Sequence, residues 1–78
     1  MALEVDLHRS DLQVMVAIRE SCCSIGQVES VKVYRSPTPF ALIEMSRREQ
    51  SAELAARFGG SVFGACALVH LEQHLTSP

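Results

Sequence analysis

Hydrophobic and polar residues alternate one by one in four short stretches of the chain and recur at helical spacing in two longer ones. In "LEVDLH", Leu3, Val5 and Leu7 take one face and Glu4, Asp6 and His8 the other, as in a half-buried strand. "VESVKVY" sets Val31 and Val33 against Lys32 and Tyr34. "TPFALIEM" sets Ala41, Ile43 and Met45 against Phe40, Leu42 and Glu44, and "ACALVHL" sets Ala67, Val69 and Leu71 against Cys66, Leu68 and His70. Strands are predicted near 3–8, 28–34, 40–45 and 65–71. Between the first two, Val14, Met15, Ile18, Cys22 and Ile25 fall on one side of a helical wheel. Ser10, with Gln13 three residues on, is a capping box that starts this helix, and Gly26 is expected to end it in the left-handed conformation. Ser46 and Glu49 repeat the box for a second helix with the core face Leu54, Ala55 and Phe58, stopped by Gly59-Gly60. "RSPTP" is a turn, because two prolines so close together forbid a regular ladder. Phe63 is expected to anchor the loop before the last strand. The tail "EQHLTSP" has no pattern and is expected to fray.

The order βαββαβ belongs to the α+β class. It predicts a ferredoxin-like sandwich, in which two helices cover one face of a four-stranded antiparallel sheet and leave the other open. The 78 residues make one domain, with a core over about 3–72 and a tail over 73–78. An apolar fraction of 47% is too high for disorder. The open face should carry Glu4, Asp6, His8, Lys32, Tyr34, Phe40, Leu42, Glu44, Cys66, Leu68 and His70. Tyr34, Phe40, Leu42 and Leu68 then form a larger apolar cluster than a monomer usually exposes. The first helix has a second apolar strip, Leu12, Val16 and Cys23. It is expected to lie under the loop that follows the helix, or else to receive a partner.

The segments between these elements carry a family resemblance. "IGQVESVKV" looks like the hydrophobic-glycine-x-valine step from first helix to second strand in the RNA recognition motif. Ile18, Cys22 and Ile25 sit where that family keeps apolar residues. "FALIEM" is similar to the end of its third-strand motif, Leu54, Ala55, Phe58 and Gly60 to its second helix and turn, and "FGACALVHL" to its last hairpin and strand. The chain resembles this family over about 3–72. The resemblance implies that the first and third strands lie side by side in the sheet centre and that the open face stacks the bases of single-stranded RNA. Phe40 takes one of the family's ring positions, while Leu42 and Glu4 occupy the other two, and Thr38-Pro39 replaces its basic-glycine start. The implied activity is weak or atypical single-stranded RNA binding, with Phe40 and Tyr34 stacking, Lys32 and Arg35 on phosphate, and Leu42 beside them. The alternative is a motif turned to protein–protein contact or dimerisation, through Phe40, Leu42 and Leu68 or through Leu12 and Val16. The partner is then a protein or a second copy.

Charge and candidate chemistry narrow this further. A net charge of −2 counts against a strong sequence-independent grip on phosphate. Cys22 and Cys23 are adjacent, Cys66 is distant, and no CxxC spacing occurs. The three are read as small apolar thiols, buried or half-buried, in a reducing intracellular compartment, cytoplasm or nucleus. His70 and His74 straddle a strand end with no third ligand, so no metal is expected. The acidic start is not a signal peptide, and no apolar run has the length of a membrane span. No nucleophile elbow, glycine-rich phosphate loop or carboxylate pair is present, so neither an enzyme nor a cofactor is expected.

Overall fold

Ser10 starts the first helix as its sequence predicts. In the computed structural model, which describes residues 2–73, α1 spans Asp11–Cys22. The Gln13 N–H donates to Ser10 Oγ at 3.3 Å, and the Ser10 N–H donates to Gln13 Oε1 at 3.3 Å. The remaining elements are β1 (Leu3–Val5), β2 (Val28–Tyr34), β3 (Phe40–Met45), α2 (Arg48–Phe58), β4 (Ser61–Phe63) and β5 (Cys66–Gln73). The second capping box does not form. Arg47 is the N-cap of α2 and makes no side-chain cap bond, and Ser46 Oγ instead donates to Gln50 Oε1 at 2.9 Å. Gly59 ends α2 at the predicted Gly59-Gly60 stop, in the left-handed conformation with a φ of 68°. At α1 the left-handed stop is absent: the C-cap is Cys23 in right-handed conformation, and the positive-φ glycines among the described residues are Gly59 and Gly64. Gly26 serves close approach instead, since a Cβ there would run into the side-chain amide of Gln50.

The sheet is mixed and five-stranded, in the order β1-β5-β3-β2, with β4 also on β5. This corrects the predicted four-stranded antiparallel sheet. It also corrects the adjacency of first and third strands that the resemblance implies. The last strand lies between them, antiparallel to β3 and parallel to β1 through Leu3↔Leu71, Glu4↔Glu72 and Val5↔Gln73. β1 and β4 share one edge of β5 in succession, β4 along Cys66–Leu68 and β1 along Leu71–Gln73. The side-chain amide of Gln73 locks β1 in place. It accepts from the Leu7 N–H at 2.8 Å and donates to Asp6 Oδ1 at 3.2 Å. Glu72 and Gln73 are therefore strand residues, not tail, and His74 and Leu75 lie outside the described residues. The first strand stops at Val5, where Asp6 to His8 turn toward α1.

Face assignment follows the alternation. Val14, Ile18 and Cys22 of α1 and Leu54 and Ala55 of α2 bury against Leu3, Val5, Val31, Ala41, Ile43, Met45, Ala67, Val69 and Leu71. Ser51 is the one buried polar residue among those described. Its hydroxyl oxygen lies 2.8 Å from the carbonyl oxygens of both Arg48 and Gly64, with its single proton to donate between them, and so ties α2 to the β4–β5 turn. Burial also pushes the Cys22 thiol up to about 11, with Cys23 beside it adding to the rise.

Candidate functional site

Residues paired across neighbouring strands share a face, so the register lays out the open surface in rows. One row runs Phe63, Cys66, Glu44, Ser30 across β4, β5, β3 and β2. The next is Ser61, Leu68, Leu42, Lys32, and the third is His70, Phe40, Tyr34. Glu4 and Glu72 are lateral neighbours one row further on, where β1 pairs with β5. Tyr34, Phe40, Leu42, Leu68 and Phe63 thus form an apolar band crossing four strands. Phe40, Leu42 and Leu68 are half-buried rather than fully outward, because each has neighbours in its row. Tyr34 at one edge and Phe63 at the other are 41% and 59% exposed.

Phe63 is the residue that sequence reasoning missed. It is no loop anchor. It lies on β4, whose three residues are too few for alternation to declare a strand. The signal was Gly64, which takes a φ of 63° between two β-forming pairs, Val62-Phe63 and Cys66-Ala67.

The structure brings Tyr34 and Phe40 together as a stacked pair, with centroids 4.8 Å apart and ring planes 14° from parallel. One face of each ring is therefore spent on the other, and Phe40 has His70 in register on its far side. Lys32 lies two residues from Tyr34 on the same face. Arg35 does not join them. Its guanidinium reaches the start of α1 and the loop before it, donating to Asp11 Oδ1 at 2.8 Å, to the Arg9 carbonyl at 2.9 Å and to the Leu7 carbonyl. The carboxylates Glu44, Glu72 and Glu4 share the face, and Glu44 accepts from the Ser30 hydroxyl at 3.1 Å. The band is thus flanked by three carboxylates and one ammonium.

The second candidate surface is the outer side of α1. Leu12 is 70% exposed and Val16 48%, and Cys23 is exposed as well, so the strip is not covered by the following loop. A groove of about 230 Å³ beside Val16 is lined by the polar Asp6, Arg9, Gln13 and Glu20 and by the apolar Val14, Val16 and Ala17. The exposure of Cys23 also corrects the expectation that all three thiols are buried or half-buried. All three cysteines are free. Among the described residues there is no group of three or more potential ligands that could hold a metal ion, and no helix long and apolar enough to cross a membrane. No family model, no curated protein and no solved structure matches this chain.

Proposed function

We propose that this domain is a protein-docking module that binds through the open face of its sheet. The apolar band from Tyr34 to Phe63 carries this reading. Aromatic side chains ringed by polar residues are the usual anchors of protein interfaces, and a band of five large apolar side chains left uncovered on one sheet face is the kind of patch that marks an interaction site. A base reader needs open ring faces and nearby cations. Here Tyr34 and Phe40 occupy each other, Arg35 is bound elsewhere, and carboxylates outnumber Lys32.

The test selects short random peptides displayed on phage against the domain and maps their sites by amide chemical shifts. Pooled short ribonucleotides are titrated in parallel. Selected peptides should shift Phe40, Leu42, Leu68 and Phe63, and the Leu42→Glu, Leu68→Glu double variant should lose them while keeping its fold. Ribonucleotides that shift β3 and β5 where no peptide does would overturn the reading in favour of RNA. Peptides mapping to Leu12 and Val16 would move the docking surface to α1.

A further inference from the structure

We infer that the occupant of this face is a basic, apolar segment of another protein rather than a second copy of this chain; the inference rests on the docking reading above. Charge placement on the face selects the occupant. Glu44 lies in the row of Cys66 at one end of the face, and Glu72 lies beside Glu4 at the other. Six residue steps along β5 separate those rows, a span of roughly 20 Å at strand rise. Leu68, Leu42 and Phe40 fill the middle. Among the described residues no cation of the chain pairs with Glu44 or Glu72: the ion pairs are Arg9–Asp6, Arg35–Asp11 and Arg57–Glu53, all away from this face. A second copy laid on the face would bring its own Glu44 and Glu72 against these two, with one Lys32 ammonium on each side. Phosphate would meet the same repulsion. A segment with Lys or Arg at both ends and aliphatic or aromatic residues between them matches the acidic end rows and the apolar middle. An extended stretch of about six residues, or a helix of about thirteen, has the required reach.

The probes are a designed amphipathic peptide with Lys at each end and Leu in the middle, its twin with Glu for every Lys, and a uridine oligonucleotide. The Lys-ended peptide should bind about tenfold more tightly than its twin at low salt, with the ratio shrinking toward one at high salt. Replacing Glu44→Gln and Glu72→Gln together should weaken it several-fold. The Leu42→Glu, Leu68→Glu variant separates docking from bare attraction, since it adds two carboxylates. Charge alone would strengthen binding of the Lys-ended peptide, whereas docking on the band abolishes it. Should that variant fail to fold, Phe63→Ser alters an exposed side chain and should still weaken binding about tenfold. Equal binding of the Glu-ended twin would overturn the charge assignment and leave the docking reading in place. So would concentration-dependent self-association, seen by sedimentation, that the double variant abolishes. Tighter binding of the Lys-ended peptide to the double variant, or binding of the uridine oligomer alone, would overturn both.

Discussion

Gly60→Ala tests the packing that sets β4, and with it Phe63, beside β5. A Cβ at Gly60 would point at the backbone of Leu68. It would lie 3.1 Å from the Leu68 carbonyl carbon, 3.4 Å from Val69 Cα and well inside contact distance of the Leu68 oxygen. The obstacle is main chain in the central strand, so it cannot swing aside as a side chain can. Relief requires lifting Ser61 away from Leu68, the first pair of the β4–β5 ladder. Overpacking of this kind costs about 1–3 kcal/mol, and the lost ladder pairing puts Gly60→Ala at the upper end. A domain of this size loses about 4–8 °C of Tm per kcal/mol, so a fall of roughly 12–24 °C is expected. Two other glycines separate the causes. Gly64 has a φ of 63° with open space around its Cβ position, so Gly64→Ala meets only the left-handed penalty of about 1 kcal/mol. Gly26→Ala meets the movable end of Gln50, and its cost is offset by about 0.4–1 kcal/mol of lost chain entropy in the unfolded state. Urea unfolding followed by far-ultraviolet circular dichroism measures all three, and amide spectra show whether Ser61 to Phe63 have left the sheet. A Gly60→Ala variant no less stable than Gly64→Ala would refute the reasoning.

Ser10→Ala should cost about 1 kcal/mol, because it removes a formed cap, whereas Ser46→Ala should stay within about 0.5 kcal/mol; equal losses in thermal melts would contradict the assigned caps. Cys23 should react readily with iodoacetamide at neutral pH while Cys22 stays protected until the chain unfolds, as peptide mass spectrometry can establish. The Cys22 thiol is raised in the folded state from 9.0 to about 11, so its contribution to stability is full below pH 9 and disappears as pH climbs toward 11; a Cys22→Ala variant should lack that alkaline decline. Hydrogen bonds from the Gln73 amide and the His8 N–H hold the Asp6 carboxyl below its usual 3.8. Its stabilisation is therefore present above that pH and lost as pH falls through the lowered folded value. Asp6→Asn should flatten the acid limb of the Tm–pH curve, and an unchanged limb would remove Asp6 from the account.

The alternation of the chain determined which side chains lie under the helices. A strand has a period of two, so Val5, Val31, Ile43 and Val69 must share the covered face whatever their neighbours are. Local chemistry likewise determined the start of α1 at Ser10 and the end of α2 at Gly59, since each depends on atoms within a few residues. Tertiary structure alone decided which strands touch. Alternation puts Leu3 and Val5 on the covered face without saying which strand they join; the structure pairs them with Leu71 and Gln73 of β5, and the Gln73 amide holds Asp6 and Leu7 there. The same holds for the site. Phe40, Leu42 and Leu68 were legible as one face. That Tyr34 closes on Phe40, that Arg35 turns away to Asp11, and that Phe63 extends the band depend on side chains meeting across strands. Periodicity cannot carry that information, because it specifies a residue's face and leaves its neighbours to the pairing of distant segments.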